Sequence, residues 1–459
     1  MLLLALAPTR ARAEELCRIE IVEAGSGWPV PLVELRTVHG VRFVSDNAGV
    51  IAFDLPEAMH RETWLFVSGH GYEVDADGFG YRGVRLIPEP GETRTVQVKR
   101  TSIARRLGRS TGAGLFAESQ RFGDAQDWPE SGIWGCDSVQ VVVHRGRLFW
   151  GWGDTTISSY PLGVFHMTGA TTVRRPLSSF EPPLRLRFDL LDDGTGKPVA
   201  IAPMPGDGPT WVAGCVSLPA ANGETRMVGS YIKVRKPMNA YESGLCVWND
   251  ETRRFERWRK LWSESEGRDA PRMPEGHAVA WRDAKSEEWI LFGNPFPALR
   301  VPATFEAWQD ASRWEPLTPQ ATVISSHDGA PVKPHSGSIA WNARRGRWVA
   351  VFTESFGRPS AFGEVWYAEA PTPTGPWGAA VKILSHDHYT FYNPRLLPEL
   401  VEDDAPFLLF EGTYSQQFAD SPQPTPRYDY NQVLYRLDLD DPALISAREG
   451  EPRAARERK

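Results

Sequence analysis

The chain has 459 residues, more than one domain of ordinary size requires, and carries a formal net charge of −7. This acidic balance argues against nucleic acid or an anionic membrane surface as a partner, since both attract basic proteins, and no apolar run reaches the ~18 residues of a membrane-spanning helix. The 41 glycines and 38 prolines, with little helical periodicity, indicate short strands separated by turns. We therefore predict an all-β protein.

The N-terminus reads MLLLALAPTRARAEE, a short apolar run followed by the small-residue pattern Ala11-Arg12-Ala13. This pattern is typical of a signal-peptidase site, so we predict a signal peptide over residues 1–13 and a secreted or periplasmic protein. The chain is long enough to bury a large core without covalent links. Its four cysteines are therefore expected to be buried free thiols.

Residues 14–100 contain about seven short alternating runs, among them CRIEIVEA, ETWLFVSG and TRTVQVKR, and predict a small β-sandwich. The stretch WPVPLVELRTVHGVRFVSDNAGVIAFDLP resembles carboxypeptidase regulatory-like (transthyretin-like) domains, which implies an accessory module. Residues 101–130 are predicted to be a linker. Residues 443–459 are predicted to be a charged flexible tail.

Five similar units follow one another between Trp134 and the tail. Each has an apolar second strand that ends in a polar residue: LFWGWGD, RMVGSY, EWILFGN, RWVAVFTE and PFLLFE. One such unit cannot bury both of its faces, so neighbouring units must pack around an axis. We predict a five-bladed β-propeller over residues 131–442.

In this arrangement the first strands line a central channel, and polar residues at strand ends converge on one mouth. The predicted mouth holds Asp137, Asp154, Tyr231, His277, Asn294, His335, Glu354, Asn393 and Glu411.

Two aspartates bracket the first hairpin, GCDSVQVVVHRGRLFWGWGDT. If Arg145-Gly146 forms its turn, Asp137 and Asp154 lie directly opposite each other at the end of an aromatic stripe. Like charges and apolar neighbours both disfavour ionisation, so one carboxyl should have a raised pKa. A protonated acid beside an ionised carboxylate is what glycoside hydrolysis needs. The alternative is that one aspartate caps a turn or pairs with an arginine.

Three motifs, GCDSV…LFWGWGDT, SIAWN…RWVAVFTES…EVWYAEAPTPTGPW and FYNPRLLPEL…FLLFEGTY, resemble the five-bladed propeller glycosidase superfamily. The pattern is most similar to the bacterial endo-D-arabinanases, which carry a D…GDT signature. The resemblance covers roughly residues 130–440 and implies that Asp137 and Asp154 are the acidic pair, without fixing the substrate. The segment QQFADSPQPTPRYDYNQ after Ser415 departs from the family pattern, so a different pocket shape is expected there.

Other polar and aromatic residues could act on a sugar or could have a structural role only. Glu354 or Glu411 could serve as the acid in place of an aspartate. The candidate sugar-binding residues are Trp152, Tyr231, His277, Asn294, His335, Asn393, Arg427 and Tyr428. His277 and His335 could instead face a cation such as Ca²⁺ in the central channel. No metal ligand is assigned, because SHDHY (residues 385–389) offers two histidines without a third ligand of known position.

Three hypotheses remain open. The first is a secreted glycoside hydrolase acting on a polysaccharide or oligosaccharide, with an arabinan-like polymer as one candidate. Asp137 is favoured as its nucleophile or base because it starts the channel-lining strand, and the carboxyl separation would decide between retention and inversion. The second is a non-catalytic carbohydrate-binding propeller, which would keep binding after loss of both carboxylates. The third is a polysaccharide lyase, which would need a tyrosine or histidine base with an arginine near a uronate.

Overall fold

The computed structural model describes residues 15–236, 238–420, 423–425 and 428–449. The predicted signal peptide, Arg427 and the last ten residues of the predicted tail lie outside the described residues. No helix among the described residues is long and apolar enough to cross a membrane. The four cysteines are buried free thiols, as predicted.

The N-terminal part consists of two four-stranded sheets, with strand orders β4-β1-β8-β6 and β3-β2-β5-β7. Its strands are β1 Cys17–Glu23, β2 Glu34–Thr37, β3 Arg42–Val44, β4 Val50–Phe53, β5 Thr63–Ser68, β6 Tyr72–Glu73, β7 Gly83–Leu86 and β8 Thr93–Arg100. Alternate residues of β1 are buried, as expected for a strand with one face on a core. The inward faces share one apolar cluster around Ile19, Leu35 and Phe53. This is the predicted β-sandwich.

The rest of the chain is built mainly from five four-stranded antiparallel sheets. The strands up to the second sheet are β9 Arg105–Arg109, β10 Gly135–Cys136, β11 Val139–His144, β12 Arg147–Trp152, β13 Thr155–Ile157, β14 Tyr160–Val164, β15 Thr168–Val173, β16 Asp189–Leu190, β17 Thr210–Pro219, β18 Thr225–Arg235, β19 Asn239–Asn249 and β20 Arg254–Ser263. The remaining strands are β21 His277–Arg282, β22 Glu288–Gly293, β23 Pro297–Pro302, β24 Glu315–Pro316, β25 Val323–Ile324, β26 Pro331–Val332, β27 Pro334–Asn342, β28 Arg347–Glu354, β29 Val365–Ala370, β30 Val381–Leu384, β31 Thr390–Leu396, β32 Phe407–Ser415 and β33 Asn431–Asp438.

Helices are short among the described residues. The α-helices are α1 Ala117–Gln120, α2 Phe305–Trp308 and α3 Ile445–Glu449, and the 3₁₀-helices are Pro56–Ala58, Glu264–Glu266, Ala311–Arg313, Pro398–Leu400 and Pro442–Leu444.

The five sheets are the blades of a propeller. Blade 1 is β11-β12-β15-β16, blade 2 β17-β18-β19-β20, blade 3 β21-β22-β23-β24, blade 4 β27-β28-β29-β30 and blade 5 β31-β32-β33-β9. The first strands of neighbouring blades contact one another in order from β11 to β31. Between the last blade and the first, Arg395 of β31 donates to the carbonyl oxygen of Val141 in β11 at 2.9 Å. The architecture agrees with the predicted five-bladed propeller.

The predicted linker is partly wrong, because β9 is the outer strand of blade 5 and pairs with β33. The sequence RRLGR lacks the alternating apolar pattern that indicates a strand, so β9 was not predicted. Arg106 of this strand is buried and donates to the carbonyl oxygens of Pro31 and His70 at 3.0 and 2.9 Å. The same strand therefore completes blade 5 and links it to the sandwich through Arg106.

The first residues of the predicted tail are also wrongly assigned. Residues 445–449 form α3, which packs against β29 of blade 4. Leu444 and Ala447 are fully buried in the core cluster shared with that blade.

Candidate active site

A cavity of about 810 Å³ is lined by residues at or near the start of the first strand of each of the five blades. Its wall includes Asp137, His277, Asn294 and Asn393, all of them residues of the predicted mouth. This volume lies within the usual range of ligand sites. The convergence of polar strand ends is thus confirmed for four residues of the predicted set.

Asp137 and Asp154 stand opposite each other on the first hairpin. Below them Val139 pairs with Trp152, and above them Cys136 pairs with Thr155 in the same register. The turn lies at Arg145-Gly146, both with positive φ (47° and 78°), as two-residue hairpin turns require. The hairpin register predicted from the sequence is confirmed.

The ladder is interrupted at the aspartates, because Ser138 has a left-handed φ of 43°. Its amide donates to Thr413 Oγ1 at 2.9 Å, and its hydroxyl oxygen accepts from the side-chain amide of Asn393 at 2.6 Å. Asn393 also has a left-handed φ, of 50°. Strained residues of this kind persist only where surrounding contacts hold them, and they cluster at functional sites.

Two tyrosines of blade 5 surround Asp137. Tyr392 donates from its hydroxyl to Asp137 Oδ2 at 3.0 Å. Tyr430 donates to the carbonyl oxygen of Asp154 at 3.0 Å and also hydrogen-bonds the Asp137 carboxyl. The carboxyl position is further restricted by Gly153, where an added Cβ would lie 2.1 Å from Asp137 Oδ1.

Asp154 has a different partner. The indole Nε1 of Trp211, a residue of the cavity wall, donates to Asp154 Oδ1 at 2.9 Å. An N–H donor of this kind stabilises the ionised carboxylate.

Burial and the neighbouring charge of Asp154 raise the pKa of Asp137 to about 7, against the opposing hydrogen bonds of Tyr392 and Tyr430. Burial also raises the pKa of Asp154, and the Trp211 hydrogen bond lowers it. The pair therefore holds a proton near neutral pH, and Asp137 is the member that we expect to carry it. Chemically, the site can present a proton donor to a ligand in the cavity.

His277 is a neutral group on the cavity wall. Burial, together with the positive charge of Arg395, lowers the pKa of His277 to about 3. Asn294 accepts the amide hydrogen of Gly337 at 2.7 Å through its Oδ1. These neutral polar groups, with Asn393, can hydrogen-bond an uncharged ligand.

Three predicted sugar-binding residues lie instead in the core. Trp152 is fully buried and stacks on Trp150. Tyr231 is buried because β18 continues past it to Arg235, and its hydroxyl donates to Glu242 at 2.9 Å. Tyr428 is buried beneath the guanidinium of Arg109, 4.2 Å from its ring centroid. These three predictions were wrong because the sequence pattern locates strand ends and loops but does not show which of their side chains are buried.

The two alternative acids do not line this cavity. Glu411 is fully buried, and its Oε2 accepts from Ser110 Oγ at 2.6 Å. Burial raises the pKa of Glu411 to about 7, but its side chain is not accessible from the surface. Glu354 is partly exposed and accepts from Trp366 Nε1 at 3.0 Å.

His335 also lies off the cavity wall. It is exposed, and its ring centroid lies 4.6 Å from that of Phe362. A bulge between Pro334 and Gly337 turns this part of β27 away from regular pairing. The strand register predicted from the repeat had no bulge at this position, and it therefore placed His335 at the mouth.

Three residues of the site were not predicted from the sequence: Trp211, Glu275 and Tyr392. Glu275 lies on the cavity wall, where desolvation raises its pKa against the opposing charge of Arg272. A usable signal existed for two of them, since Tyr392 precedes Asn393 at a predicted strand start and Glu275 lies two residues before His277.

Within the described residues, no cluster of three or more histidines, cysteines, aspartates or glutamates has the geometry to hold a metal ion. His386 and His388 lie in different environments. His386 is buried, 3.0 Å from the Tyr435 hydroxyl, whereas His388 pairs with Asp420 at the surface.

Neither a protein-family model nor a curated protein sequence matches the chain. Among solved structures, it is similar to an exo-1,5-α-L-arabinanase from a bovine ruminal metagenomic library, with 11% identity, coverage of 66% of this chain and 93% of that one, and a TM-score of 0.38. It is also similar to a variant of the α-L-arabinanase of Cellvibrio cellulosa, with 10% identity, coverage of 67% and 92%, and a TM-score of 0.38. A xylose complex of the GH43_1 enzyme from Xanthomonas citri gives 8% identity, coverage of 74% and 90%, and a TM-score of 0.39. Likeness at this level carries no argument for a shared activity, so any functional assignment depends on the site itself.

Proposed function

We propose that this protein is a glycoside hydrolase that cleaves a polysaccharide or oligosaccharide bound over the propeller mouth. The observation that carries the proposal is Asp137: a carboxyl on the wall of a ligand-sized cavity, with its pKa raised to about 7 and a second carboxylate directly opposite. A general acid works best when its pKa lies near the working pH, because it is then protonated and still donates readily.

In this mechanism Asp137 protonates the glycosidic oxygen as the bond to the leaving sugar breaks. This reverses the role favoured from the sequence, where Asp137 was placed as nucleophile or base. Asp154 keeps Asp137 protonated by its nearby charge. Tyr392 holds the acid in position through its hydrogen bond to Oδ2.

Hydrolysis also needs an ionised carboxylate, which attacks the sugar or activates a water molecule. Asp154 and Glu275 are the two candidates near the acid. Asp154 is stabilised as the anion by the Trp211 indole, and Glu275 lies on the same cavity wall as Asp137.

The two alternatives are less well supported. A pure binding site has no need for a carboxyl that stays protonated at neutral pH. A lyase with a tyrosine base would need a readily ionised hydroxyl, but burial and the nearby Asp137 raise the pKa of both Tyr392 and Tyr430.

We further propose that the protein is exported, on the strength of its N-terminal sequence, and that the sandwich is an accessory module. An arabinan-like polymer is the first substrate to test, since the D…GDT motif resembles that of endo-D-arabinanases.

The test is reducing-sugar release from a panel of neutral polysaccharides that includes arabinans, galactans and xylans. We expect wild type to release sugar from at least one polymer, and Asp137→Asn to lose about 10²- to 10⁴-fold in rate, as expected for removal of a general acid. Asp154→Asn and Glu275→Gln identify the second carboxylate. Asp404→Asn, an exposed aspartate outside the cavity, is the matched control. Retention of full activity by Asp137→Asn would refute the proposal.

A further inference from the structure

Four aromatic rings form a continuous row that starts at the carboxyl pair. Tyr392, which hydrogen-bonds Asp137, lies 5.9 Å from Phe418 between ring centroids. Phe418 lies 6.4 Å from Phe362, and Phe362 lies 5.4 Å from Phe356. We call Tyr392, Phe418, Phe362 and Phe356 the aromatic row.

Two rings of the row, Phe356 and Phe418, are unusually exposed. The fractional exposure of Phe356 is 75%, and that of Phe418 is 69%. Isolated exposed apolar residues are ordinary, but a contiguous apolar surface beside a polar site marks a place of contact.

The backbone holds both rings in this position. Phe356 and Phe418 have left-handed φ values of 57° and 61°, which bulky residues rarely adopt. The strain at both positions must be offset by surrounding contacts, including the hydrogen bond from the Gly357 amide to the carbonyl oxygen of Ala361 at 3.1 Å.

Polar groups accompany the row. His335 packs against Phe362 at 4.6 Å, and its predicted contact with sugar would be made here, outside the cavity. The Glu354 carboxylate lies beside the loop that carries Phe356, close enough that a Cβ at Gly357 would be 3.0 Å from its Oε2. Apolar faces flanked by hydrogen-bonding groups match a sugar ring, which has C–H faces and hydroxyl edges.

We propose that the aromatic row binds successive units of a neutral polysaccharide chain that extends from the cavity across blades 4 and 5. This inference rests on the proposed glycoside hydrolase function and specifies its substrate as a polymer. The exposed rings Phe418 and Phe356 are separated along the row by Phe362 and so can contact different sugar units, and neither carries a charge that would select an ionic partner. The row includes Phe418 from the segment after Ser415, which departs from the family pattern.

The experiment compares a polymer with a short substrate that occupies only the cavity, such as an aryl glycoside of the same sugar. Phe356→Ala and Phe418→Ala are each expected to lower kcat/KM for the polymer by about two- to tenfold, mainly through KM, because each loses one stacking contact. Hydrolysis of the aryl glycoside should stay within about twofold of wild type. Phe79→Ala is the matched control, since Phe79 is 89% exposed but lies on the sandwich.

Equal polymer kinetics in wild type and both row variants would overturn the inference while leaving the hydrolase proposal intact. A changed elution volume in either row variant would also overturn it, by assigning the row to contact between protein chains. If wild type hydrolyses none of the polysaccharides, the hydrolase proposal fails. Affinity electrophoresis in gels containing the same polysaccharides then tests whether the aromatic row binds one of them. Retardation of wild type that is lost in the row variants would support the row as a binding surface, and retardation in none of the gels would overturn it.

Discussion

Replacement of Asp137 by asparagine should stabilise the folded protein, by an amount that grows above about pH 4 and is complete above about pH 7. Burial and the charge of Asp154 raise the pKa of Asp137 from 3.8 to about 7. Each pKa unit corresponds to about 1.4 kcal/mol, so ionising this carboxyl in the folded state costs at most about 4 kcal/mol. Asparagine removes that cost and can still accept the hydrogen bond of Tyr392 through its Oδ1.

The direction of the pH dependence follows from proton binding. Between its unfolded and folded pKa values, Asp137 binds more protons in the folded state, so wild-type stability falls as the pH rises through this window. Below about pH 4 the carboxyl is protonated in both states and the variant gains nothing. Above pH 7 the full difference applies.

The assay is thermal unfolding of wild type and Asp137→Asn at intervals from pH 4 to pH 8. With an unfolding entropy of about 2 cal/mol/K per residue, 1 kcal/mol corresponds to roughly 1 °C in a chain of this size. We expect the variant to unfold up to about 4 °C above wild type at pH 8 and at the same temperature at pH 4. Asp404→Asn should follow wild type throughout. A variant less stable than wild type at pH 8, or a difference independent of pH, would refute the raised pKa.

Three further changes test the surroundings of the pair. Gly153→Ala places a Cβ 2.1 Å from Asp137 Oδ1, so the carboxyl must move by about 1 Å. We expect kcat/KM to fall about 100-fold, with a circular dichroism spectrum like that of wild type. Trp211→Phe removes the hydrogen-bond donor to Asp154 and so raises the pKa of that carboxyl. The acidic limb of the pH–rate profile should then move upward by about one pH unit, since a hydrogen bond to a charged group contributes about 1.5–3 kcal/mol. If the limb does not move, ionised Asp154 is not required. Glu411→Gln should raise the unfolding temperature at pH 8 but not at pH 4, because burial raises the pKa of Glu411 to about 7. Its activity should stay within about twofold of wild type, since Glu411 is fully buried, and a larger loss would indicate that Glu411 takes part in the reaction.

Local features of the chain were predictable from the sequence. The first hairpin combines strict alternation with a glycine turn, and these fix which residues stand opposite each other. Asp137 and Asp154 could therefore be paired without knowledge of the fold. The five-fold repeat likewise placed His277, Asn294 and Asn393 at the same mouth.

The missed features depend on contacts distant in sequence or on irregular backbone. Tyr392 and Tyr430 contact Asp137 although they lie more than 250 residues away in sequence, and no local pattern predicts such a contact. The bulge before Gly337 moved His335 off the cavity. Tyr231 was taken as a strand end because the apolar pattern stops there, although hydrogen bonding continues to Arg235.

The most direct test of the central claim is the pH dependence of kcat/KM on whichever polysaccharide wild type hydrolyses. With Asp137 as the proton donor and its pKa raised to about 7, activity should fall as the pH rises through about 7, because the donor becomes ionised. Asp137→Asn should lack this limb and retain at most about 1% of the rate. An activity that rises through pH 7 to a plateau, and persists in Asp137→Asn, would contradict the account.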